Sequence, residues 1–437
     1  MEQTLWFIIG VVVLIVGLGI SIALHEWGHY FPAKKFGVNI HKFMVGFGPT
    51  LWSVKRGETE FGIKAIPLGG YVAMQGMFAP QKKSSKRRRG GTDFAALETE
   101  EEAVEDIDMS RSFYTLSVPK RITVMMGGPT MNLLIAIVLY AVLLMGFGLV
   151  QPGLTVGSVS QCVVGATEAR TQCLPDDPVA PGAEAGVMPG DRIIALDNQS
   201  VDSWGEVTEI IRQSPGRTLS LVVEREGQDV SLRITPLLTE RFEVDARGQI
   251  IRDDSGSPIV VEVGFVGIGS TLETIRQPAS RVLPAVWDNT VGVATILATL
   301  PERMVQVANA AFGQDERDPN GPVSVVGVGR IAGEIASIDQ IDPSDRVAGF
   351  IALLASLNIA LFVFNLVPLL PLDGGHVAVA LFDGARKRWA GIWGRPEPPP
   401  INPSKLMPLT LVVVVLLLSM SVLLMYADIV NPISLFQ

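Results

Sequence analysis

Four apolar stretches, residues 5–31, 120–150, 347–370 and 406–426, constrain this chain more than any other feature. Each is as long as the roughly 20 residues a helix needs to cross a bilayer, so the chain is expected to be a polytopic α-helical membrane protein with four transmembrane helices. Composition agrees: 48% of the 437 residues are hydrophobic, more than an ordinary soluble domain carries alongside so few charges. Basic residues then orient the spans. Lys34, Lys35 and Lys42 follow the first stretch, Lys120 and Arg121 open the second, and Arg386-Lys387-Arg388 come after the third. By the positive-inside rule these ends face the cytoplasm, and both termini lie outside. Residues 151–347 contain no lysine and 28 of the 44 acidic residues, as an external segment would. Met1-Glu2-Gln3 lacks the basic start of a secretory signal, so the first stretch is expected to be a retained helix. Asp288–Phe312 is apolar too, but its run from Asp288 to Glu302 is shorter than a span. It is expected to lie on the membrane surface, since a true span there would reverse all later topology.

The chemistry sits in the first stretch. His25-Glu26-Trp27-Gly28-His29 places two imidazoles at i and i+4 on one helical face, where both reach one metal, with Glu26 beside them to take a proton from water. Ionisable groups at membrane depth cost several kcal/mol and are retained for function. A catalytic zinc takes three protein ligands and one open position. The third ligand is expected from Asp373, at the cytoplasmic end of the third span and so at the depth of the histidines; His376 is the runner-up, and a helix cap the structural alternative for Asp373. Asn132, in Gly127-Gly128-Pro129-Thr130-Met131-Asn132 near the start of the second span, supplies a buried amide and is a candidate substrate contact, and Asn358 and Asn365, seven apart in the third, share one helical face. Pro368 and Pro371 break the third helix before Asp373, and such a break is tolerated where it lines a polar cavity.

The segments between the spans read differently. Residues 43–77 mix glycine with apolar residues and suit β-hairpins at the membrane surface, offering an edge that includes Gly70, Tyr71 and Val72 to an extended peptide; a plain amphipathic loop is the alternative. Residues 80–110 carry a basic run, then an acidic one, as a disordered cytoplasmic insert would, and the basic run suits anionic lipid headgroups rather than nucleic acid. Cys162 and Cys173 are close enough to close a small loop, and a disulfide in an oxidising compartment is expected, two free thiols being the alternative. The order of strands and helix in 151–240 resembles a PDZ domain, with its Gly-x-x-Pro-Gly-Asp-x-Ile turn at Gly186–Ile193. That resemblance implies a groove that accepts a peptide as an added strand, beside which the cysteine loop is an insertion.

Taken together, the His25–His29 motif, Gly46-Phe47-Gly48-Pro49, Pro67-Leu68-Gly69-Gly70-Tyr71-Val72, Gly128–Asn132, Asn365-Leu366-Val367-Pro368 and Leu372-Asp373-Gly374-Gly375 resemble the bacterial site-2 proteases of the regulator-of-sigma-E protease type, in a single-PDZ form. The resemblance implies zinc held by His25, His29 and Asp373, Glu26 as base, Asn365 in contact with substrate, and a β-hairpin that clamps an unwound substrate. It also implies a multi-pass protein of the bacterial plasma membrane that cuts transmembrane proteins such as anti-sigma factors and remnant signal peptides. The expected units are a first span (1–42), a membrane-associated β-hairpin region (43–79), the charged insert (80–118) and a second span (119–150). An extracytoplasmic PDZ-like α+β domain (151–240) follows, then its extension with interfacial helices (241–346), a third span with Leu-Asp-Gly-Gly (347–376), a cytoplasmic connector (377–404) and a fourth span with an external tail (405–437). Two other classes compete: a PDZ adaptor without catalysis, which would not depend on Glu26, and a metal transporter, which would need further intramembrane carboxylates.

Overall fold

The computed structural model describes residues 2–77, 109–166, 168, 170, 172–243, 250–253, 257–313, 317–318, 321–338, 342–398 and 406–432. Most of the charged insert, 80–108, lies outside them. The chain forms two compact units, Met1–Gly146 with Pro278–Gln437, and Phe147–Gln277 between them.

The first unit begins with α1, Glu2–Lys35, whose Glu2 and Lys34-Lys35 complement the helix dipole at its two ends. Its apolar residues face outward as well as inward, Leu5, Ile8, Val12 and Val16 among them, which in water would be a liability and in lipid is not. Two long strands follow, β1 (Ile40–Arg56) and β2 (Thr59–Met74), joined at Gly57, whose φ of +64° a side chain would resist. Both strands fold over: residues 42–45 face 70–73 on one side and 60–63 on the other, while 52–56 pair only with 59–63. Residues 66–74 are therefore an outer segment with one edge unpaired. Glu58 in the tight turn accepts from both terminal nitrogens of Arg111 at 2.7 and 2.8 Å and from Lys34 at 3.0 Å, and these cations hold its carboxyl at about 2, below the usual range. Next comes α2, Val118–Ala141, continued by a π-helical stretch at Val142–Phe147.

In the inserted unit, β3 (Leu149–Val159), a one-turn α3 (Pro181–Glu184), β4 (Arg192–Leu196), β5 (Gln199–Ser200), α4 (Trp204–Arg212), β6 (Leu219–Arg225), β7 (Gln228–Ile234), β8 (Leu237–Phe242), β9 (Val260–Phe265) and β10 (Ile268–Ile275) follow in order. The main sheet runs β10-β3-β4-β6-β7, with β5 beside β4, and β8 pairs with β9 separately. The two tight hairpins turn at Asp197-Asn198 and Glu226-Gly227, all with positive φ, as two-residue turns demand. Ser203 caps α4 by accepting from the Glu206 amide, and Glu206 reaches back to the Asp202 amide, a reciprocal cap. Val207 and Ile211, one turn apart, bury against Val156, Ile193, Leu196, Leu221 and Val223. Asp191, 1% exposed, accepts from Arg225 at 2.7 and 2.8 Å and from the Met188 amide, and Arg225 also donates to the Gly186 carbonyl. This pins the turn at Gly186–Asp191 to the sheet and lowers the Asp191 pKa. Cys162 and Cys173 are disulfide-bonded, 5.8 Å apart at Cα. The unit closes at Gln277, beyond the boundary at 240 expected above, because β10 returns to pair with β3.

The first unit resumes with α5 (Val282–Ala298), α6 (Leu300–Phe312), α7 (Val325–Ser337), α8 (Pro343–Asn365), α9 (Asp373–Ile392) and α10 (Met407–Val430). Among the described residues four helices, Glu2–Lys35, Val118–Phe147, Pro343–Asn365 and Met407–Val430, are long and apolar enough to cross a membrane, and Ala279–Ala298 with Leu300–Phe312 form a pair bent by 72°. Asp428 forms a buried ion pair with Arg317 and accepts from the Ser324 amide at 2.6 Å, tying the end of α10 to the start of α7. Within the expected third unit, 347–376, α8 ends at Asn365, ahead of Pro368 and Pro371, which lack the amides a continuing helix needs. Of the expected connector at 377–404, the residues up to Ile392 belong to the helix Asp373–Ile392, free of proline after its start.

Candidate active site

The site forms where α1, α2 and the break between α8 and α9 meet. Gly28 of α1 and Gly127 of α2 face each other so closely that a Cβ on either would strike the other's backbone, and a Cβ on Gly128 would lie 2.7 Å from His25 Nε2. Small residues thus bring α2 against the histidines. The imidazoles are then oriented from behind. His29 Nδ1 lies 2.8 Å from the Val124 carbonyl, to which it can only donate, which leaves Nε2 free for a metal. His25 Nδ1 lies 3.0 Å from the amide of Asn132, a fully buried residue whose Oδ1 has no partner. With His25 Nε2 on a metal, Nδ1 carries the proton, so the amide is best turned with Oδ1 accepting it. Asn132, expected above to touch substrate, also lines the cavity but packs onto His25.

Asp373 opens α9 immediately after the break. Gly374 and Gly375 let its turn close on itself: a Cβ on Gly375 would come within 2.6 Å of the Leu369 carbonyl carbon. Asn358, fully buried, donates to Ser21 at 3.0 Å and to the Leu354 carbonyl, so α8 is clamped to α1 one turn before His25. The outcome is a triangle. His25 Nε2 and His29 Nε2 are 3.2 Å apart, and Asp373 Oδ2 lies 3.4 and 3.3 Å from them. A tetrahedral ion with ligands at about 2.0 to 2.1 Å separates neighbouring ligand atoms by about 3.3 to 3.4 Å, so these three atoms fit one face of a zinc site. Asp373 Oδ2 is buried yet makes no hydrogen bond, as a ligand oxygen without its ion would be left. Among the described residues no other group of His, Cys, Asp and Glu converges in this way, and His376 is not part of it.

A cavity of about 460 Å³ opens onto the triangle, lined by Glu26, Asn132, Asn365 and the segment Gly69–Val72. Glu26 is 7% exposed, and Gly70 sits so near that a Cβ there would be 2.9 Å from its Cγ. Tyr71 is braced by Phe47, rings stacked at 6.5 Å, while Val72 is buried in the core with Phe43 and Met74. The outer strand segment therefore borders the cavity over the acid. Sequence reasoning missed Ser21 and Val124. Ser21 stands four residues before His25 on the same face, a usable signal, but a backbone carbonyl leaves none.

Comparison with known proteins gives the family of the chain. The profile described as Peptidase family M50 matches residues 13–391. Zinc metalloprotease Rip1 of Mycobacterium tuberculosis (strain ATCC 25618 / H37Rv) is 35% identical over 442 residues, covering 99% of this chain and 100% of that protein. Its namesake in Mycolicibacterium smegmatis is 33% identical over 450 residues with the same coverage, and Metalloprotease MmpA of Caulobacter vibrioides is 30% identical over 393, covering 87% and 88%. With its apolar helices and the match across most of its length, the chain belongs to peptidase family M50, the site-2 protease family of membrane metalloproteases.

Proposed function

We propose that this protein is an intramembrane zinc metalloprotease that hydrolyses peptide bonds within or near the transmembrane segments of single-span proteins. His25, His29 and Asp373 hold the metal and Glu26 is the general base. The observation that carries this reading is the triangle of ligand atoms with edges of 3.2 to 3.4 Å, open to the cavity that holds Glu26. Zinc bound there would supply a Lewis acid for the scissile carbonyl and bring the pKa of a water towards about 7. Glu26 takes the proton of the attacking water and delivers it to the departing amine as the C–N bond breaks. His29 and His25 keep their orientation through Val124 and Asn132.

A transmembrane substrate hides its carbonyls in its own helical hydrogen bonds and must unwind to be cut. The unpaired edge of residues 66–74, exposed to the cavity at Gly69–Val72, can replace those bonds by strand pairing, and Asn365 offers an amide to the same backbone. Substrates of the kind the family resemblance implies are anti-sigma factors and remnant signal peptides trimmed outside by another protease. The inserted unit is read as PDZ-like on its Gly186–Ile193 turn, with β10, outermost in its sheet, as an edge for a peptide. The orientation follows the basic residues: Lys34-Lys35, Arg121 and Arg386–Arg388 cytoplasmic, the inserted unit and both termini outside, in a bacterial plasma membrane.

Comparative membrane proteomics of wild type against Glu26→Gln tests the reading. Loss of a general base costs about 10²- to 10⁴-fold in rate, so trimmed single-span proteins should accumulate in the variant. Identical fragment populations in both strains would refute it and favour a binding role.

A further inference from the structure

Beyond the site, the far half of α9 presents a face that the described residues leave uncovered. Ala380, Asp383 and Ala390 are buried, while Leu381, Phe382, Trp389, Ile392 and Trp393, on the opposite stripe, are 56 to 72% exposed. Its level is fixed by α2: Asp383 pairs with Arg121 at 3.3 Å, and a Cβ on Gly384 would lie 3.2 Å from Val118. Both partners belong to the first turn of α2, the end that carries Lys120 and Arg121. The remaining residues to Ile392 add about 12 Å of helix beyond it, which on the orientation proposed above reaches the headgroup zone of the cytoplasmic leaflet. There the stripe turns cationic. Lys387 is taken up by Glu397 at 2.7 Å, and Arg386 is 3.9 Å from Asp383. Arg388 and Arg395 have no ion-pair partner among the described residues. A recess of about 420 Å³ lies between Arg386, Trp389, Arg395, Pro396 and Pro398.

From this we infer that the Trp389–Arg395 end of α9, projecting beyond the first turn of α2, binds the headgroup of an anionic phospholipid of the cytoplasmic leaflet. Apolar side chains on one face, paired tryptophans with rings 6.1 Å apart, and cations beside them suit a helix end that emerges at a charged membrane interface. Water would penalise the stripe, and a neutral lipid would leave the two arginines uncompensated. The inference rests on the membrane reading and its orientation but not on the metal site. Because Asp373 begins the same helix, the lipid anchor and the third ligand are two ends of one rigid element about 30 Å long.

The test uses the full chain in phosphatidylcholine vesicles titrated with brominated phosphatidylglycerol or brominated phosphatidylcholine, following tryptophan quenching. The component absent from W389F/W393F reports the site; a circular-dichroism spectrum and thermal unfolding midpoint equal to wild type establish that this variant is folded. That component should be quenched at low fractions of the anionic lipid and should shift about thirtyfold to higher fractions in R388Q/R395Q, two cations at roughly 1 kcal/mol each. Equal quenching by both lipids, none by either, or an unshifted curve in R388Q/R395Q would overturn the inference. So would relief of quenching by millimolar inorganic phosphate, which would mark a site for a free anion; no relief supports the lipid. The readout involves no peptide hydrolysis, so its failure is distinct from failure of the protease reading.

Discussion

Gly128→Ala is the sharpest perturbation of the site that leaves every proposed ligand in place. A Cβ built on Gly128 lies 2.7 Å from both Nε2 and Cε1 of His25, about 0.7 Å short of the 3.4 Å at which ordinary contact begins, and still nearer His29 Nε2. Either α2 retreats, against the backbone contact of Gly127 with Gly28, or the imidazoles shift. Metal sites tolerate about 0.2 Å in ligand distance, so a displacement several times larger should disrupt the triangle. Disturbing a group that merely orients a ligand costs 10- to 100-fold in affinity, and moving the ligands themselves should cost about 100-fold or more. The assay is zinc retention by the purified full-length protein against a graded chelator, read by elemental analysis. Gly19→Ala, on the same α1 helix with nothing within 4 Å of its Cβ, is the control and should match wild type. Gly128→Ala with wild-type zinc retention would refute the claim that close approach of α2 shapes the metal site.

Two further outcomes follow from the same geometry. Asn132→Leu, which removes the partner of His25 Nδ1, should weaken zinc retention about 10- to 100-fold, whereas Asn132→Asp, whose carboxylate still accepts the Nδ1 proton, should keep most of it. In the inserted unit, Arg225→Ala strips a cation from a carboxylate that is 1% exposed and should destabilise the unit, measured by denaturant unfolding of that unit's signal in the full chain. Because Arg225 lowers the Asp191 pKa, this stabilisation is fully present above the unfolded carboxylate's value near 4 and is lost as pH falls through the depressed folded value. The Arg225→Ala penalty should therefore shrink in acid.

What could be read in the sequence follows a physical pattern. His25 and His29 were legible because helical period alone puts them together, and the spans because lipid demands long apolar runs. Asp373 was legible only through depth, since its ligand position depends on packing between α1 and the α8–α9 break. Features set by contacts across the chain left no local trace: the Arg121–Asp383 pair spans 262 residues, and β10 returns to β3 from beyond the expected boundary. The helical run after Asp373 was obscured because Arg386-Lys387-Arg388 interrupt its apolar residues, so it reads neither as a span nor as a core helix.

The central claim is that one zinc is held by residues from the two ends of the chain, His25, His29 and Asp373. Zinc stoichiometry of the purified full-length protein, compared between wild type, Asp373→Ala and His376→Ala, tests it most directly. One zinc per chain is expected in wild type and His376→Ala, and its loss in Asp373→Ala. Full zinc in Asp373→Ala, or loss in His376→Ala alone, would contradict it.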